Sequence, residues 1–178
     1  MPNWCSNHAY FSHKDPAQVE KVLTALKEEK LFETFFPFPN GEWDYGWCID
    51  NWGTKWDAKV LDVSEIEPYN NGTIVSASFD TAWGPAIGFY EKMKELGFEV
   101  DATYYEEGMQ FVGEFLEGAD RYYEYDTVES LDEIPQHLVD EYFLRETLLE
   151  REEYEEEDEE FEVEDDSDDV SLFEDEED

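Results

Sequence analysis

NHAYFSHKDPAQVEKVLTAL, residues 7–26, carries the first two elements of the fold and the signal that separates them. Residues 7–11 read as a short first strand of aromatic and small side chains. Asp15-Pro16 then opens a helix. Asp15 is suited to cap free amides, Pro16 to the first helical position, and Gln18 stands at the capping-box spacing. Val19, Val22, Leu23 and Leu26 follow the i, i+3, i+4, i+7 stripe of one buried face, with Glu20, Lys21, Lys27 and Glu28 opposite.

Working outward, residues 35–57 (FFPFPNGEWDYGWCIDNWGTKWD) are broken by prolines and glycines and predict an irregular loop. Residues 61–69 and 73–80 flank Asn70-Asn71-Gly72, and Asn-Gly supplies the positive φ angles of a hairpin turn. Gly84-Pro85 opens a second helix with Phe89, Met93 and Leu96 on one stripe, and Gly97 fits the left-handed position after its end. A second hairpin follows: Phe98, Val100, Ala102 and Tyr104, a Glu106-Glu107-Gly108 turn, then Met109, Phe111, Gly113 and Phe115. A loop with Tyr122, Tyr123 and Tyr125 leads to a third helix opened by Pro135, with Leu138, Val139, Tyr142, Phe143 and Leu149 to dock it. The expected class is α+β. Its first part has the order βαββαβ, a ferredoxin-like antiparallel sheet plus an extra strand, with helices on one face, a Trp-rich loop and a C-terminal helix.

Charge is distributed unevenly along the chain. Eleven Lys and Arg stand against 50 Asp and Glu, a formal net charge of −39 in 178 residues. Residues 150–178 hold 20 of the carboxylates and a single cation, Arg151. So few apolar residues among so many like charges predict a disordered or partly helical acidic tail, beside a domain over residues 1–149. Such a field repels nucleic acid and anionic membrane and attracts basic proteins and cations. No apolar run approaches the roughly 20 residues that span a bilayer. The start MPNWCSNHAYF lacks the pattern of a signal peptide, and Cys5 and Cys48 make no disulfide framework, so a cytoplasmic location is expected.

Four strings stand in order: MPNWCSN (residues 1–7), WCIDNWGTKWD (47–57), FDTAWGPAIGFY (79–90) and YYEEGMQFVGEF (104–115). Together they resemble the YubB-like ferredoxin-fold family of phage and plasmid proteins. The resemblance covers residues 1–115 and implies a ferredoxin-like domain carried by mobile elements. It implies no established reaction and no catalytic residues. Gly84-Pro85-Ala86 departs from the Ser-Pro-Pro-like run usual in that family, and the acidic tail lies outside the shared pattern.

Two candidate sites emerge. The first is the aromatic loop with Trp43, Trp47, Asp50, Trp52, Lys55, Trp56 and Asp57, joined by Trp83 and with Trp4 nearby. Trp faces can stack a flat ligand or hold a cation; equally, the rings can form a mini-core that pins a long loop, with Lys55 and Asp57 paired. The second is the acidic run Glu152, Glu153, Glu155, Glu156, Glu157, Asp158, Glu159 and Glu160. As a helix it would span about 13.5 Å, close to duplex DNA in axial charge density at roughly one charge per 1.7 Å.

Other chemistry finds no support. Cys5, His8, His13 and Cys48 are the only soft metal ligands with any clustering, but Cys5 and His8 fall on opposite faces of a regular strand. Asp165-Asp166-Ser167-Asp168-Asp169 lacks the glycine of a calcium loop. There is no G-x-S-x-G elbow and no phosphate loop. No catalytic residue, metal or cofactor is therefore expected. The leading reading is a non-enzymatic mobile-element accessory protein that binds a basic protein surface, with mimicry of DNA toward a host nucleic-acid-binding or defence factor as its narrower form. The alternative is a small-ligand or peptide-binding module that uses the aromatic loop, its tail serving only solubility.

Overall fold

The computed structural model describes the backbone of residues 3–165 and the side chains of residues 3–154. Among the described residues are seven strands and six helices. The α+β class expected from the sequence is what the chain adopts.

Strand β1 (Trp4–His13) is twice the length that its apolar content suggests, because it pairs antiparallel with a neighbour on each side. Cys5, Asn7, Ala9 and Phe11 point to the buried face and Ser6, His8 and Tyr10 to the other. Helix α1 (Pro16–Lys27) starts where the sequence places it, with Asp15 Oδ1 accepting from the Ala17 amide at 3.0 Å. The Asp15 amide, which a capping box would give to Gln18, instead donates to His13 Nδ1.

Residues 35–57 are more regular than expected. Helix α2 (Leu31–Phe35) ends inside that segment and α3 (Tyr45–Trp52) lies within it. The cause is local capping. Asp44 Oδ1 accepts from the Trp47 amide at 2.7 Å, and Gly53, at φ +84°, closes the other end with its amide on the Cys48 and Ile49 carbonyls.

The first hairpin is interrupted on one side. Strand β2 (Lys59–Val63) and strand β3 (Glu67–Tyr69) both pair with β4 (Gly72–Ala82), with a register shift at Val60 and Asp62. In the gap between them Ser64 substitutes for the ladder. Its amide donates to the Ser76 carbonyl, and its hydroxyl accepts from the Ser76 amide, both at 2.9 Å. Helix α4 (Ile87–Glu95) and strands β5 (Glu99–Glu106) and β6 (Phe111–Leu116) follow in the expected order, but the helix starts after Gly84-Pro85, and Leu96 and Met109, expected on its stripe and in the returning strand, lie beyond the element ends and are exposed. Residues 119–124, expected as a loop, form strand β7 (Ala119–Glu124). Glu117 and Gly118, both with positive φ, make the two-residue turn that a twisted hairpin favours.

The strands form one open antiparallel sheet in the order β2-β4-β1-β5-β6-β7, with β3 also on β4. Helices α1 and α4 cover one face. Val22, Leu26, Phe89 and Met93 from the helices pack there with Phe11, Val75, Phe79 and Val100 from the strands. Phe32 and Phe89 sit at its centre, ring centroids 4.5 Å apart.

Packing divides the chain after Tyr125. Within residues 126–178, a 3-10 turn (Glu129–Glu133) precedes α5 (Gln136–Glu141) and α6 (Leu144–Asp165). The single helix expected after Pro135 is thus two. Phe143 adopts a left-handed φ of +52° at the break, which turns its side chain outward. Leu138, Val139, Leu144 and Leu148 are buried, whereas Phe143 and Leu149, expected to dock the helix, are exposed.

Gly113 is required by close approach: a Cβ there would overlap the Tyr104 ring and hydroxyl and the Arg121 carbonyl. We expect Gly113→Ala to cost about 2–3 kcal/mol in urea unfolding. Gly84→Ala, which meets nothing within 4 Å, should stay within about 0.5 kcal/mol of wild type.

Candidate functional site

The eight residues selected around the aromatic loop divide by depth. Trp52 is 1% exposed, donates Nε1–H to the Phe36 carbonyl at 3.1 Å, and packs on Phe32, Phe38 and Trp47. Trp47 is half-buried against Phe38. Thr54, fully buried, donates to the Ala82 carbonyl at 2.9 Å and ties the loop to the end of β4. Asp57 accepts from the Phe32, Glu33 and Ala58 amides at 2.8–2.9 Å and anchors the start of α2. Burial pushes the Asp57 carboxyl pKa up, against the pull of those three amides. These residues form a local core.

The remaining members face solvent. Trp43 is 50% exposed and donates Nε1–H to the Lys55 carbonyl. Lys55 Nζ lies 4.4 Å from the centre of the Trp56 ring, over that ring and not on Asp57. Trp56 is 37% exposed and 6.1 Å from Trp4, whose ring carries Lys59 Nζ at 5.1 Å. Asp50 is exposed on α3. Trp83 is 48% exposed with a left-handed φ of +71°, an unfavourable backbone for a bulky residue. Its amide is held by the Asn3 carbonyl at 2.9 Å.

Beneath this surface runs a buried polar network. Asn7 accepts the Tyr90 hydroxyl at Oδ1 and donates Nδ2 to Thr81 Oγ1, both at 2.8 Å, and to the Cys5 carbonyl at 2.9 Å. Thr81 in turn donates to the Gly84 carbonyl at 2.6 Å. Burial raises the pKa of the Cys5 thiol far beyond its usual range, which removes it as a nucleophile at neutral pH. The four soft ligands noted in the sequence lie apart in function. Cys5 and Cys48 are buried thiols, His8 contacts Ser78 Oγ at 2.8 Å on the other face of the sheet, and His13 serves the Asp15 amide. Among the described residues, no three His, Cys, Asp or Glu side chains are grouped to hold a metal ion.

The sheet face opposite α1 and α4 bears a feature that the sequence did not announce. A cavity of about 590 Å³ is lined by Tyr10, Ser64, Glu65, Glu67, Tyr69, Ile74, Ser76 and Asp101. Register builds its floor, since Tyr10 pairs with Ser76 on β4 and with Asp101 on β5. The interrupted segment between β2 and β3, with Ser64 and Glu65, builds its wall. A second cavity, of about 420 Å³, lies by the Asn70-Asn71-Gly72 turn and contains Lys14 as well as Glu99. Alternation marks which side chains share a face, but cross-strand partners are invisible without the register.

Of the acidic run, Glu152 and Glu153 are exposed on α6. Glu155, Glu156, Glu157, Asp158, Glu159 and Glu160 continue the same helix, and their side chains lie outside the described residues, as does the whole of residues 166–178. Among the described residues, no helix is long and apolar enough to cross a membrane. No protein-family model, curated protein or solved structure matches the chain.

Two outcomes follow from the depth of these groups. Trp52→Ala should destabilise by about 3–5 kcal/mol, and Trp43→Ala by less than about 1 kcal/mol, in the same denaturation assay. Tyr104 and Tyr125 have phenol pKa values raised well above the ordinary 10.0, first by burial and then by hydrogen bonding and nearby negative charge. The folded chain thus keeps protons that the unfolded chain releases, so stability contributed by these groups falls as pH rises above about 10. In a 295 nm titration, at least two of the eleven tyrosines should ionise only as the protein unfolds.

Proposed function

We propose that this protein is a non-enzymatic binding module whose partner is a basic protein surface, and that it serves a phage or plasmid as an accessory factor in the cytoplasm. The observation that carries this reading is the charge distribution: −39 over 178 residues, with 20 carboxylates in residues 150–178. Helix α6 supports it by setting eight carboxylates among nine residues, 152–160, along one rod. Like charges at i, i+4 oppose such a helix, and a basic partner relieves that repulsion. Imitation of the DNA phosphate array toward a nucleic-acid-binding or defence protein is the narrower form of the proposal. The β1-α1-β2-β4-α4-β5 unit with strand order β2-β4-β1-β5 supports a ferredoxin-like core and, with it, membership of the YubB-like family. Two buried free thiols suit a reducing compartment.

A second reading has its own observation. Trp4 and Trp56 form an exposed or half-exposed aromatic pair with Lys59 and Lys55 over the rings, Trp43 is tied beside it through the Lys55 carbonyl, and Trp83 holds a strained backbone. Such an aromatic surface suits a flat ligand or a peptide.

Affinity purification from the natural host separates the two. With every Asp and Glu of residues 150–178 changed to the amide, the first reading expects the recovered basic proteins to disappear. It also expects weakening from 50 to 500 mM salt, as screening shortens the reach of surface charge below about 8 Å. Recovery of the same partner by the neutralised chain, or of no basic protein by the wild type, overturns it; loss of the partner on Trp56→Ala alone favours the second.

A further inference from the structure

The carboxylates around the cavity on the helix-free face come from separate parts of the chain. Glu65 and Glu67 lie in and beside β3, Asp101 in β5, and folding brings them around one concavity. Among the described residues, no Lys, Arg or His lines it. Two phenol rings, Tyr10 and Tyr69, both exposed, stand in the same lining, and Ile74 adds an apolar surface. Ser64 and Ser76 bring hydroxyl groups; Ser64 donates to the Glu65 carbonyl at 2.8 Å and accepts the Ser76 amide, so the wall is fixed by hydrogen bonds and not by the ladder.

The chemistry that complements this lining has one positive end and an apolar stem. Carboxylates attract the charge, phenol faces attract it through the ring quadrupole, and Ile74 with the ring carbons takes the methylenes. An anion meets three like charges; a neutral polar group gains no advantage over water. Partial desolvation, Glu99 and Glu117 push the Asp101 carboxyl pKa up, and a cation nearby pulls it the other way.

We propose that the cavity lined by Tyr10, Glu65, Glu67, Tyr69, Ile74 and Asp101 is a socket for an alkylammonium group, occupied by a lysine side chain of the partner. In naming lysine as the occupant, this rests on the basic-partner reading; the socket itself does not depend on the acidic tail. The stem lies against Ile74 and the tyrosine rings, and the ammonium sits in the negative field that Glu65 and Glu67 set on one side of the cavity and Asp101 on the other. Long-range attraction by the tail and short-range fit in the socket are then separate functions of one chain.

The test is amide NMR of the full-length protein in 150 mM NaCl with three probes. These are acetyl-Gly-Lys-Gly-amide, its norleucine counterpart without the ammonium, and spermidine. The lysine peptide should produce saturable shifts at Tyr10, Ser76 and Asp101, and the norleucine peptide none. Glu67→Gln and Asp101→Asn, both at exposed positions, should each weaken binding about three- to fivefold. Tyr69→Leu should weaken it about threefold, and Glu91→Gln, exposed on α4, should leave it unchanged. Saturation by spermidine but not by the lysine peptide keeps the alkylammonium socket and removes the partner reading. Equal shifts with norleucine, affinity indifferent to the cavity variants, or shifts confined to residues 150–165 overturn the socket.

Discussion

Asn7 sits in the middle of the central strand, on the buried side, among apolar neighbours. In the ladders it pairs with Phe79 on one flank and Tyr104 on the other. Its amide group is fully engaged across three elements: Tyr90 from α4, Thr81 from β4 and the Cys5 carbonyl of its own strand. A buried amide left without partners costs about 1–3 kcal/mol, so only one register of β1 satisfies it. A slip by one residue would also carry Cys5, Ala9 and Phe11 to the opposite face. The helix-free face inherits its order from this constraint. Tyr10, Ser76 and Asp101 share a row because Asn7 has fixed where β1 lies between β4 and β5.

Much of the scaffold was legible because its signals are local. Asp15 and Pro16 mark the start of α1 and Gly97 the end of α4 at φ +90°; the turn into β4 was placed correctly, but its positive φ falls on Asn70 and not on the Asn71-Gly72 pair. Helix α3 was legible in principle through Asp44 and Gly53, but the density of Pro and Gly around it masks a short capped helix. Strand β7 was missed because its turn, Glu117-Gly118, lacks the Asn or Asp that usually announces one. The break at Phe143 has no local signal at all; a positive φ at phenylalanine runs against its backbone preference.

The candidate sites were legible only in part, and for a different reason. Tryptophan serves equally well in a core and on a binding surface, so composition cannot sort Trp52 from Trp43. Their separation is geometric: Trp52 ends α3 on the side facing Phe32 and Phe38, while Trp43 precedes the helix and its cap. Charge is read directly from sequence, yet the arrangement of Glu65, Glu67 and Asp101 is not, since it depends on which strands adjoin. Long-range potential belongs to the sequence; a socket belongs to the register.

The interruption between β2 and β3 has a further bearing on how the molecule behaves in company. A sheet margin made of two short pieces, one containing Pro68 and the other a bulge, offers no continuous row of amides to a passing strand. Asp62, Glu65 and Glu67 along that margin repel another copy of themselves, and Asp120 and Glu124 do the same on β7 at the far margin. Each of these strands thus carries features that disfavour edge-to-edge pairing with another chain.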